Sequence, residues 1–222
     1  MTAISLSFAS VEHTLARGMG VLADDLPKFR ARIKQLQRLG FPEGVNVGRG
    51  VRMPYELVHL IQLAVAFELL DCGLPAKFVT ESVARGWDRI SYGVWAAVSH
   101  RVGSTDRVYL ACRFNAVKDV SGKVAKFSIE DHESLKDLGR RHGGLVIVNL
   151  TKVLGKVMAG ANDQAAIRSF FTKRAVAEWY SSPPTYDFLD PENRWYRLGQ
   201  FDGGIGEKQS RELISRDSDT QA

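Results

Sequence analysis

Between Leu57 and Leu70 the chain carries an apolar run of 14 residues, broken only by His59, Gln62 and Glu68. As a helix it is hydrophobic nearly all round. Such a helix belongs at the centre of a domain or in a subunit interface. It falls short of the roughly 20 apolar residues that a bilayer-spanning helix needs, so no transmembrane helix is expected. No basic residue precedes Arg17, so no secretory signal is expected and the cytoplasm is the expected compartment. With 45% hydrophobic and 25% charged residues in 222, wholesale disorder is excluded. A chain of this size can bury a core without disulfides or metal. Cys72 and Cys112 both sit in apolar runs and form no Cys-x-x-Cys pair. They read as reduced core residues, and neither a metal nor a cofactor is expected.

Charge is unevenly placed. Lys28, Arg30, Arg32, Lys34, Arg38, Arg49 and Arg52 face a single acid, Glu43, within one segment. Seven against one makes that segment +6, more than the +5 of the whole chain. From residue 181 onward there are five basic and eight acidic residues. This asymmetry points to a nucleic-acid footprint near the N-terminus and a solvated acidic tail.

Hydrophobic spacing orders the rest. A first helix is expected over 10–17, capped by Ser10 and ended at Gly18-Met19-Gly20. Leu26, Phe29, Ile33 and Leu36 recur at three- and four-residue spacing. They define an amphipathic helix opened by Asp24 or Asp25 with Pro27 in its first turn, and stopped at Gly40 and Pro42. Residues 43–53 alternate valines with three glycines and read as a hairpin with a glycine-rich tip. Helices follow to Leu70 and over 76–85. Strands are then expected over 107–117 and 124–129, separated by turn residues. A polar helix is expected over 131–142 and a buried strand over 145–150. A helix capped by Thr151 runs to about 159, and another runs over about 162–180. The expected fold is α+β: an N-terminal winged helix-turn-helix over 1–90, a small α+β domain over 91–180, and a flexible acidic tail over 181–222.

Helix, turn, basic helix, glycine-rich hairpin, helix is the order of a winged helix-turn-helix. A helix fits the major groove when its outward face carries groups that reach phosphates and base edges. Here the residues off the apolar stripe include Lys28, Arg30, Arg32, Lys34, Gln35, Gln37 and Arg38. Arg49 and Arg52 flank a glycine tip that permits close approach to the backbone or minor groove. Tyr55, just beyond, reads equally as a DNA contact or a packing residue.

The run from Arg32 to Pro42, Arg-Ile-Lys-Gln-Leu-Gln-Arg-Leu-Gly-Phe-Pro, resembles the end of the recognition helix of MerR-type regulators. There an Arg-x-Tyr-Tyr-Glu-x-x-Gly-Leu pattern precedes the wing. The aromatic pair is absent here, with Gln37 and Arg38 nearby. Gly50-Val51-Arg52-Met53-Pro54-Tyr55 resembles the Gly-Tyr-Arg-x-Tyr of that family, with one extra residue. The stretch from Leu69 to Val79 resembles its Leu-x-x-Leu-Gly-Phe-Ser-Leu-x-x-Ile segment. The resemblance covers about residues 10–86. It implies a sequence-specific, usually dimeric DNA-binding regulator, with Arg32 and Arg38 on the groove-facing helix and Arg52 as the wing arginine.

The expected function is therefore transcriptional regulation through double-stranded DNA, by a homodimer. Dimerisation, effector sensing or contact with RNA polymerase or another regulator is assigned to residues 91–180. An architectural, excisionase-like DNA-bending factor is the alternative in the same chemistry. A small enzyme with its site in the C-terminal domain is the alternative outside it. Nothing supplies the pairing an enzyme needs. His13, His59, His100, His132 and His142 are scattered, and Asp131-His132-Glu133 reads as capping at a helix start. No serine sits in a Gly-x-Ser-x-Gly elbow. The chain is therefore not read as an enzyme.

Overall fold

The computed structural model describes residues 5–45, 54–100, 107–113, 126–141, 144–161 and 167. The chain divides into two compact units, Met1–Ser182 and Pro183–Ala222, and every described residue lies in the first. Among the described residues the helices are α1 (Phe8–Gly18), α2 (Leu26–Arg38), α3 (Leu57–Asp71), α4 (Ala76–Arg85), α5 (Trp87–His100), α6 (His132–Arg141) and α7 (Leu150–Gly160). The strands are β1 (Tyr109–Arg113), β2 (Lys126–Glu130) and β3 (Leu145–Asn149). Helices and one small antiparallel sheet together make the fold α+β.

The apolar run becomes α3 and is buried on every side. Leu60, Ile61, Leu63, Val65 and Ala66 are all wholly enclosed. Helices α1, α4 and α7 pack around it, together with β3. Two of its interruptions, His59 and Glu68, have a use. The amide of Glu56 donates to Nδ1 of His59 at 3.0 Å, which caps the helix start. Glu68 forms an ion pair with Lys156 of α7. Phe67 stacks on Phe29 of α2, with ring centroids 4.8 Å apart.

Helices α1 and α7 cross with their backbones in near contact. A Cβ on Gly18 would lie 2.3 Å from the carbonyl oxygen of Lys156. Only glycine allows such an approach. Helix α5 spans residue 90, and α7 returns to α1. One core thus runs through the described elements.

The sheet has the order β2-β1-β3, with Ala111 opposite Ser128 on one side and Ile147 on the other. Helix α5 packs against β2, and Arg89 Nη1 donates to the carbonyl of Phe127 at 3.0 Å.

Several local expectations are corrected. The cap of α1 is Ser7, whose hydroxyl accepts from the amide of Ser10 at 3.0 Å. The cap of α7 is Asn149, which accepts from the amide of Lys152. Thr151 instead accepts from the amide of Val108 and ties the strand's approach to α7. Cys112 is fully buried in β1, whereas Cys72 lies exposed in the turn after α3. Helix α5 forms where no element was expected. Asp131 does cap α6, its carboxylate accepting from the amide of Ser134 at 2.7 Å. The expected turn over 119–123 with the strand ends beside it, the helix over 162–180 and the tail over 181–222 lie outside the described residues, Ile167 excepted.

Candidate nucleic-acid interface

Helix α2 begins with Pro at its first turn, follows a 3-10 turn over Ala23–Asp25, and carries no acidic residue from end to end. Phe29, Ile33 and Leu36, at the spacing i, i+4, i+7, form its buried stripe. Gly40, in the left-handed region at φ 77°, ends it as expected. The outward side chains of Lys28, Arg30, Arg32, Lys34, Gln35 and Arg38 are all exposed.

Their electrostatics differ. Lys28 Nζ donates to Asp25 at 2.8 Å, and that hydrogen bond and charge raise the ammonium above its usual value. Arg30 Nε donates at 2.8 Å to Glu12 of α1, whose side chain is only 9% exposed. Arg32 lies 3.8 Å from Asp71 at the end of α3. The side chains of Lys34, Gln35 and Arg38 meet no ion-pair or hydrogen-bond partner among the described residues. Three cations of this helix are thus engaged by carboxylates of the chain, and two meet none among the described residues.

Tyr55 sits apart from this row. It is 2% exposed, and burial pushes its hydroxyl up to about 12. The hydroxyl accepts from Gln37 Nε2 on the flank of α2. Its backbone forms a two-bond bridge with Leu6 just before α1, at 2.7 and 2.9 Å. Tyr55 therefore packs and ties, and its ring is not presented to solvent. Arg49 and Arg52, with the rest of the expected wing over 46–53, lie outside the described residues.

A cleft of about 230 Å³ lies beside α2, lined by Arg32, Gln35, Leu36, Leu70, Gly73, Leu74 and Ala76. Ligand pockets run to roughly 300–1,000 Å³, so this cleft is small for a metabolite. Cys72, beside it, has its thiol pushed up by partial burial and by the Glu68 and Asp71 carboxylates, which is the wrong direction for a nucleophile. Among the described residues no cluster of His, Cys, Asp and Glu could hold a metal ion. No helix there is long and apolar enough to cross a membrane.

Two features of the interface escaped the sequence analysis. One is the set of acids that engage the basic helix, Glu12 and Asp71, which are distant in sequence. The other is Ala31, exposed between the arginines. Only its place four residues before Gln35 and seven before Arg38 could have marked it.

No family model, no curated protein and no solved structure matches the chain.

Proposed function

We propose that the protein is a sequence-specific, double-stranded DNA-binding regulator of transcription that places α2 in the major groove. One observation carries this reading: α2 buries Phe29, Ile33 and Leu36 and turns an acid-free face of Lys, Arg and Gln to solvent. A solvated surface helix ordinarily mixes both signs, whereas a helix that docks on phosphates does not.

The element order also supports a winged helix-turn-helix of the MerR-like kind. Helices α1 and α2 are followed by the segment where a wing is expected, then by α3 and α4. The Leu6–Tyr55 bridge joins the far end of that segment to the strand-like residues before α1. In this reading Arg49 and Arg52 supply the wing contacts, the protein acts as a homodimer in the cytoplasm, and the sheet with α6 contacts RNA polymerase or another regulator.

The experiment is binding of the full chain to its own upstream DNA and to scrambled DNA across a salt series. Selective binding that survives physiological salt is expected. In a folded Lys34→Ala variant the slope of log K against log salt should fall by about one, as for a single phosphate-facing cation. Absence of wild-type binding at low salt overturns the reading. Bending of DNA with no effect on transcription would move it to an architectural factor.

A further inference from the structure

The row of cations on α2 is not uniform. Arg30 is drawn to Glu12 and Arg32 towards Asp71, one on each flank of the helix. The Arg30 pair, short and with a buried acceptor, ties α2 to α1, and the looser, exposed Arg32 pair faces α3. The face opposite the buried stripe is made of Ala31, Lys34, Gln35 and Arg38, at the spacing i, i+3, i+4, i+7. All four are exposed, and the three polar ones have no partner among the described residues. Ala31 is the smallest of them, so the backbone of α2 can approach a surface most closely there.

Resting on the DNA-binding reading, we propose that Gln35 and Arg38 read base edges and that Ala31 sets the depth of insertion. Lys34 meets a phosphate, and Arg30 and Arg32 position the helix rather than read sequence. The chemistry follows from the donors. Arg offers a bidentate fork to O6 and N7 of guanine, and Gln pairs with N6 and N7 of adenine. Lys is a compact point charge suited to a phosphate oxygen. Three residues of helix rise about 4.5 Å between Gln35 and Arg38, against about 3.4 Å per base-pair step. The site therefore contains a guanine and an adenine one or two base pairs apart. This reverses the ranking that residue type alone suggests, in which Arg32 would read DNA as readily as Arg38.

The test is selection of the full chain on a random duplex library, with variants whose fold is checked by circular dichroism. Wild type should enrich a site with the guanine–adenine pair. Gln35→Ala should relax the adenine column and Arg38→Ala the guanine column, each by about tenfold to hundredfold. Gln35→Glu should replace adenine by cytosine, because a carboxylate accepts from cytosine N4. Ala31→Leu should lose enrichment yet keep salt-sensitive binding to scrambled DNA. Arg30→Ala should leave every column unchanged. The inference is overturned if Arg30→Ala or Arg32→Ala relaxes a column while Gln35→Ala and Arg38→Ala relax none. Binding without enrichment in wild type overturns base reading and leaves DNA binding standing. No binding at low salt overturns both.

Discussion

Gly160, the last residue of α7, is seated against Thr14 of α1, so that a Cβ on it would lie 2.0 Å from the Thr14 carbonyl oxygen. The crossing of the first and last described helices depends on a missing side chain at this point. Gly18 does the same from the other helix. The Glu68–Lys156 pair and the burial of Leu15, Val153 and Val157 surround the crossing.

Gly160→Ala should therefore destabilise the fold by about 1–3 kcal/mol or more, since overpacking against backbone cannot be relieved by a rotamer change. Gly155, in the same helix, has nothing within 4 Å of its would-be Cβ. Gly155→Ala should stabilise by about 0.5–1 kcal/mol through helix propensity. Denaturant midpoints of the two variants separate the effects. Equal shifts in one direction would refute the close crossing.

Glu12 is buried with Arg30 as its partner, while Asp25 is half-exposed with Lys28. Arg30→Ala leaves a buried acceptor without its donor and should cost about 1–3 kcal/mol. Lys28→Ala removes a solvent-screened surface pair and should cost less than Arg30→Ala. Chemical denaturation of both variants checks the order. A larger loss in Lys28→Ala would show that Glu12 does not depend on Arg30.

His59 accepts the Glu56 amide through Nδ1 in a half-buried setting. Burial lowers its pKa below the ordinary 6.5, and the nearby Glu56 charge offsets this only in part. The unfolded chain therefore binds the proton more readily. The contribution of His59 is complete above pH 6.5 and is lost as pH falls through the lower folded value. Thermal melts from pH 7.5 downward should show this loss, and His59→Gln should flatten that part of the profile. An unchanged profile in the variant would exclude His59 as its source.

Tyr55 is neutral in the fold up to about 12, against an ordinary 10.0. Its contribution is present below pH 10.0 and lost as pH rises towards 12. Tyr55→Phe should cost about 1 kcal/mol at neutral pH, through the lost bond from Gln37, and should lessen the alkaline loss. Phenolate absorbance during alkaline titration reports it directly. Ionisation of all six tyrosines near pH 10 would contradict the burial.

Much of the local order was legible. The stripe of Phe29, Ile33 and Leu36 marks α2, and the run from Leu57 to Leu70 marks the central helix. Alternation marks the paired strands. Helix α5 was not legible, although Ile90, Val94 and Ala97 keep helical spacing and are buried. Serine, glycine, tyrosine and valine in that stretch have poor helix propensity. Gly93 also falls in its middle, and there a Cβ would lie 2.5 Å from Ile129 and 2.6 Å from Leu150. What reads as a helix breaker is a contact point for β2 and α7. The same holds for Gly18, which reads as a stop signal and is also half of a helix crossing.

By itself the sequence determined which segments bury an apolar face and where one sign of charge gathers, because periodicity and composition are local properties. It could not decide which carboxylates would meet those charges. Glu12, Asp71 and Lys156 find their partners across 18, 39 and 88 residues, distances that only folding closes. Lys28 pairs locally with Asp25, but tertiary structure alone set Arg30 and Arg32 beside carboxylates. Once a helix docks, its flanks face neighbouring helices and its far face does not. It also turned Tyr55 inward, because the Leu6 bridge fixes the backbone direction at that residue.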